Sequence, residues 1–117
     1  MLIKAEVEKF LKDFKQKMKI WDVLFRDERG KNAQTLADLE LIPSDRKRVL
    51  ENLIAEDYCE GPLKDTLYKG ADMWVFGKII KKKEIYIKVT MGIAGASVIC
   101  ISFHIAEHVL KFPLKNL

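Results

Sequence analysis

Near residue 72 the spacing of apolar side chains changes from helical to alternating, and that change restricts the fold more than any other feature of the chain. Upstream, Val7, Phe10, Leu11, Phe14 and Met18 recur every three or four residues, the pattern of an amphipathic helix with one buried stripe. Downstream, Met73–Lys81, Glu84–Met91 and Ser97–Ala106 alternate with a period of two, as half-buried strands do. Turns as short as Lys82-Lys83 and Gly92–Ala96 join antiparallel neighbours. Helices first and sheet last predict a single α+β domain over residues 1–117, with N-terminal helices packed on one face of a C-terminal antiparallel β-sheet.

The upstream elements have local signals. The first helix is expected from about residue 3 to 18, with Lys9, Lys12, Asp13, Lys15 and Lys17 on its wet face. Trp21–Arg26 reads as a short strand stopped by Asp27-Glu28-Arg29-Gly30. Gln34–Leu39 is long enough for about one helical turn. Pro43-Ser44-Asp45 is a helix start, with Ser44 as the cap and Asp45 in the first turn. That helix is expected to reach about Ile54 and to bury Val49, Leu50, Leu53 and Ile54. Asp57–Gly70, which contains Gly61-Pro62, reads as a long connection.

Parity then sorts the strands by face. Ile85, Ile87, Val89 and Met91, with Ile99, Ile101, Phe103 and Ile105, form an apolar face that must meet the helices. The even positions are Glu84, Tyr86, Lys88 and Thr90, then Cys100, Ser102 and His104. A loop at Gly92–Ala96 pairs Lys88 with Cys100, Tyr86 with Ser102 and Glu84 with His104. Diagonal neighbours lie ~7–8 Å apart, so Tyr86, Lys88, Ser102 and His104 are expected to share one patch. Pairing Ile79 with Ile85 adds Lys78, Phe76 and Trp74 to the same face.

Such a face suits RNA chemistry. A histidine titrating near neutrality exchanges protons, lysines offset charge on a phosphorane, and flat rings stack bases. Attack of a 2′-hydroxyl on its own phosphate requires no metal. The competing reading is an ordinary wet sheet face, with Trp74 and Phe76 covered by the Asp57–Gly70 segment.

Charge points the same way. Residues 1–57 carry 12 Lys/Arg against 12 Asp/Glu, and residues 58–117 carry 9 against 5, so the whole +4 lies in the second half. A localised basic excess favours an anionic partner, although +4 also serves solubility. A hydrophobic fraction of 49% excludes intrinsic disorder. No run approaches the ~18 apolar residues of a membrane span. Without a signal-peptide pattern or paired cysteine spacing, the chain reads as reduced and cytoplasmic.

Other motifs carry less. His104-Ile-Ala-Glu107-His108 matches an inverted zinc-peptidase signature that works on a helix, whereas here His104 completes a strand. Cys100, His104 and His108 on such a path diverge, so no metal is expected. Nucleotide-binding glycine loops are absent, and no cofactor is expected. Lys81-Lys82-Lys83 reads as an exposed turn.

Asp57-Tyr58, Gly61-Pro62, Met73-Trp74-Val75-Phe76-Gly77-Lys78, Glu84-Ile85-Tyr86-Ile87-Lys88 and Cys100-Ile101-Ser102-Phe103-His104 together resemble the MqsR family of toxins from bacterial type II toxin–antitoxin systems. The resemblance covers about residues 45–108. It implies a RelE-like fold and a metal-independent endoribonuclease that cleaves mRNA, arrests growth and is neutralised by a cognate antitoxin protein. Tyr86 falls on the family's active-site tyrosine and Lys88 on the lysine of its Tyr-x-Lys strand. His104 stands where a catalytic lysine is found after Ser-Phe. Lys64 is the nearest match to an upstream catalytic lysine, with Glu60 in another register, and Val75 replaces a glutamine. The expected catalytic set is Tyr86, His104 and Lys88, with Lys78, Trp74, Lys64 and Ser102 binding RNA.

Overall fold

The computed structural model describes residues 2–27, 30–67 and 69–115; Glu28 and Arg29 of the expected turn, and Tyr68 of the expected connection, lie outside them. Among these residues three helices and a short 3₁₀ turn accompany a five-stranded mixed sheet. In chain order they are α1 (Leu2–Trp21), β1 (Val23–Phe25), α2 (Gly30–Asp38), α3 (Pro43–Glu51), the 3₁₀ turn Ala55–Asp57, β2 (Tyr58–Leu63), β3 (Met73–Ile80), β4 (Lys83–Thr90) and β5 (Val98–Ile105). The sheet order is β1-β5-β4-β3-β2. The α+β class stands, but the sheet is not wholly antiparallel, because β1 runs parallel to β5. No helix among the described residues is long and apolar enough to cross a membrane.

The expected stripe of α1 is its buried face: Val7, Phe10, Leu11, Phe14 and Met18 all enter the core. Phe10 stacks on Trp74 at 4.8 Å and on Phe76 at 6.2 Å, while Tyr58 meets both rings edge-on. Burial of each such aromatic stabilises the fold by about 2–3 kcal/mol. The helix stops at Asp22, whose φ of 68° is left-handed and whose N–H closes on the Met18 carbonyl at 2.7 Å. An Asp tolerates that conformation better than most residues.

α3 begins one residue earlier than its capping signal. Pro43 is the first helical residue, where its fixed φ suits the turn, so Ser44 lies inside the helix and caps nothing. Asp45 closes the start instead, accepting the Ile42 N–H at 3.0 Å. The helix ends at Glu51; Leu50 and Leu53 are buried, but Ile54 points outward. Arg46 is 2% exposed. It donates two bonds to the Asp27 carboxylate, at 2.6 and 3.0 Å, and lies 4.0 Å over the Phe25 ring. This fork fastens the end of β1 to α3.

The expected connection over Asp57–Gly70 is partly a strand. β2 pairs with β3 through two irregularities, and Gly61, at φ 126°, lets the chain pass close to Trp74. Pro62 is tolerated there because β2 is an edge.

The largest departure from the sequence reading is at the β3–β4 turn. Lys81 and Lys82 form it, both with positive φ, and Ile80 pairs with Lys83. A two-residue turn of that hand matches strand twist, and Lys81 Nζ anchors it to the Leu39 carbonyl at 2.6 Å. The expected turn was one residue later. One residue reverses every side chain, so Trp74, Phe76 and Lys78 lie on the helix-covered face.

Between β4 and β5 the register is two residues from the expected one, with Tyr86 directly opposite His104 and Lys88 opposite Ser102. Val89 then pairs with Cys100, so Ile101 is an extra residue in a bulge. The bulge changes the parity of β5. Val98 and Cys100 enter the core with Phe103, while Ile99 and Ile101 are only partly buried. Cys100, expected on the open face, is fully buried.

β1 ends at Phe25, and beyond it the outer edge of β5 is completed by side chains of α2. Asn32 donates to the carbonyls of Arg26 (2.7 Å) and Ile101 (3.3 Å) and accepts the Phe103 N–H at 3.1 Å. Thr35 Oγ1 accepts the Ile105 N–H at 2.9 Å. Replacing Asn32 with Ala orphans the Ile101 carbonyl and the Phe103 N–H on either side of Ser102, and urea unfolding is expected to show a loss of about 2–3 kcal/mol.

Asp27 titrates below the usual carboxylate range, chiefly through its hydrogen bonds from Arg46. The stabilisation from this depressed pKa is full above the unfolded value of about 3.9 and is lost as pH falls through the folded value. Asp27→Asn is expected to cost about 3 kcal/mol at pH 7, because it strands a buried guanidinium. It should also flatten the acid limb of a stability–pH curve measured by thermal melting.

Candidate active site

The helices cover one face of the sheet; the other carries a groove of about 650 Å³. Its floor is the central strand pair, with Tyr86 and Lys88 from β4 and Ser102 and His104 from β5. One wall is the start of α2, with Gly30, Lys31 and Asn32. The other is the segment after β5, with Ala106, Glu107, His108 and Leu110. A shallower depression of about 420 Å³ shares Gly30, Lys31, His104 and Glu107, so His104 is reached from two sides.

Tyr86 and His104 stack with ring centroids 5.2 Å apart and planes 19° from parallel. Nδ1 of His104 lies 2.9 Å from the Ile105 carbonyl. A carbonyl only accepts, so Nδ1 carries the hydrogen and Nε2 of the neutral ring is left as the acceptor. Stacking and this hydrogen bond together fix the ring. Burial raises the Tyr86 pKa, with smaller contributions from Glu60 and Cys59, so its phenol remains a hydrogen-bond donor at neutral pH.

Lys88 is half-buried and has no ion-pair partner among the described residues. Ser102 is 5% exposed, and it too borders the groove. At the rim, Lys31 pairs with Glu107 at 2.7 Å. That hydrogen bond is the main reason the Glu107 carboxyl is held down, with His104 and His108 adding to it.

The far wall is a strap. Its Leu110 N–H donates to Glu84 Oε1 at 3.2 Å, and Leu114 is buried with the core residues. Leu110 and Phe112 press on Gly77, where an added Cβ would lie 2.6 and 2.9 Å from them. Gly77 sits opposite Tyr86, so its missing side chain lets the strap run beside the tyrosine.

The structure therefore brings together Tyr86, Lys88, Ser102 and His104, the heart of the expected set, and separates the rest. Trp74 is 8% exposed and sandwiched in the core, so it offers no open platform. Lys78 points under the helices and pairs with Asp57 at 2.8 Å. Both corrections follow from the one-residue shift of the β3–β4 turn. Lys64 is exposed near Asp72, at 3.6 Å, outside the groove. The groove is bordered by the strap, through Ala106, Glu107, His108 and Leu110. Lys31 carries no sequence signal, lying in a helix longer than the expected turn, and in the sequence Glu107 and His108 stand out only as parts of a metal-like motif. The three residues of that motif are not on a helix: His104 is in β5 and the others follow it.

Comparison of the chain with family models, curated proteins and solved structures finds no match.

The raised pKa values of Tyr86 and Tyr58, the latter also chiefly from burial, make the neutral phenols part of the folded state. That contribution is full below the unfolded value of about 10 and is lost as pH rises through the folded values. Ultraviolet titration is expected to show two late-ionising tyrosines, and Tyr86→Phe should remove one of them.

Proposed function

We propose that this groove cleaves single-stranded RNA without a metal, by attack of a 2′-hydroxyl on the adjacent phosphate. The observation that carries the reading is the fixed Tyr86–His104 stack, with Nε2 left as acceptor, beside the Lys88 ammonium, which has no ion-pair partner among the described residues. Nε2 of His104 takes the 2′-hydroxyl proton. Lys88 offsets negative charge on the phosphorane, and Lys31 adds positive charge at the rim. The protonated Tyr86 hydroxyl positions the phosphate or the attacking oxygen; with a raised pKa it is a poor base. Products carry a 2′,3′-cyclic phosphate and a 5′-hydroxyl.

The likeness of Tyr86-Ile-Lys88 and Ser102-Phe-His104 to the MqsR toxins extends the proposal. The substrate is mRNA, the consequence is growth arrest in a bacterial cytoplasm, and a cognate antitoxin protein restrains the enzyme. A second reading, a binding module that holds RNA or protein in the same groove without cutting, draws on Val75: it is buried opposite Lys88 and apolar where the toxins carry a glutamine.

Incubation of a long single-stranded RNA with the protein in EDTA, with mapping of product ends, tests the proposal. Discrete cuts are expected from the wild type, reduced about 10²–10⁴-fold by His104→Ala, the range for loss of a general base. Full activity in His104→Ala overturns the assignment. Binding without cuts, on free RNA and on translating ribosomes alike, favours the module.

A further inference from the structure

The chain has two histidines, and both border the same groove. His104 lies on its floor, half-buried; His108 lies on the strap, exposed. In-line displacement at phosphorus places the attacking and leaving oxygens on opposite sides of the phosphate. His104 presents one free nitrogen, and its ring is held by Tyr86 and by the Ile105 carbonyl. A ring so fixed serves one side of the phosphate and cannot turn to serve the other. The departing 5′-oxygen therefore needs a separate proton donor.

We propose that His108 is this donor, the general acid that protonates the 5′-oxygen as His104 deprotonates the 2′-hydroxyl. The assignment rests on the reading of the groove as an RNA-cleaving site. The step balances: the 2′-oxygen–phosphorus bond forms as its proton passes to Nε2 of His104. The phosphorus–5′-oxygen bond breaks as the imidazolium of His108 gives up a proton. The enzyme is left with the two histidines in exchanged protonation states, and no outside reactant is consumed.

The charged groups around the two rings come from α2, β4 and the strap. Glu107, between the two histidines in sequence, is a carboxylate paired with Lys31 of α2 on the other wall. Tyr86 and Lys88 face His104 from β4. Glu84 is engaged by the backbone of Leu110.

The pH–rate profile of the wild type is expected to be a bell, because one histidine must be neutral and the other charged. The deciding substrate is an RNA whose scissile 5′-oxygen is replaced by sulfur, since a thiolate leaves without a proton. His108→Ala and His108→Gln are expected to lose about 10²-fold or more on ordinary RNA and to lose the descending limb of the bell. Both should approach the wild-type rate on the sulfur substrate, whereas His104→Ala stays impaired on both. His108 is exposed, and unchanged circular dichroism is expected to show that both variants fold. The assignment falls if His108→Ala cuts ordinary RNA at the wild-type rate with both limbs intact, or if its defect is equal on the two substrates. If the wild type cuts neither substrate, the reading of the groove falls and takes this assignment with it.

Discussion

A three-residue strand cannot satisfy the edge of an eight-residue one, and much of this molecule is arranged around that mismatch. β1 pairs with β5 only from Val98 to Cys100. The N–H and C=O groups beyond it would otherwise be stranded against a helix, each costing about 1–3 kcal/mol if left unpaired. Asn32 and Thr35 take over as surrogate strand partners. Because Asn32 must reach both the bulge residue Ile101 and Phe103 beyond it, the start of α2 is drawn against the open end of β5. That brings Lys31 to the rim of the groove and, through Glu107, links the helix to the strap. The Arg46–Asp27 fork supports the same junction by fixing the chain where it leaves β1.

Much of the architecture was legible in the order of periods. The buried stripe of α1, the apolar positions of β4 and the existence of β3, β4 and β5 follow from burying one face of each element. Structure and expectation part where a single residue decides a face. Lys81 and Lys82 adopt left-handed conformations that their type does not announce; Asn-Gly at those positions would have marked the turn. Ile101, as a bulge residue, has no signal at all, since the apolar run Ile99–Phe103 suits either parity. The Asn32 and Thr35 bonds to β5 span about seventy residues, beyond any local pattern.

The candidate site was legible in part for a related reason. Tyr86, Lys88, Ser102 and His104 occupy one face of an adjacent strand pair, so a register error of two residues left all four together. Trp74 and Lys78 depended on the next turn, where the error was one residue, and they moved to the opposite face. An even shift displaces neighbours along a face, whereas an odd shift exchanges faces.

The same period separates stability from chemistry. On β4 the buried Ile85 and Ile87 alternate with Tyr86 and Lys88, so one strand bears core and groove on opposite sides. Groove side chains can then change with little disturbance of packing, as a rigid floor under a variable site requires. Separation fails at two places. At Gly77 any side chain meets Leu110 and Phe112 and disturbs the strap. At the bulge, the partners of Asn32 lie on either side of Ser102, so edge satisfaction and the groove floor share a few residues. There the fold sets the geometry of the site directly: the extra residue that takes Cys100 into the core also places Ser102 opposite Lys88 and His104 opposite Tyr86. A β5 without the bulge could keep one of those arrangements but not both.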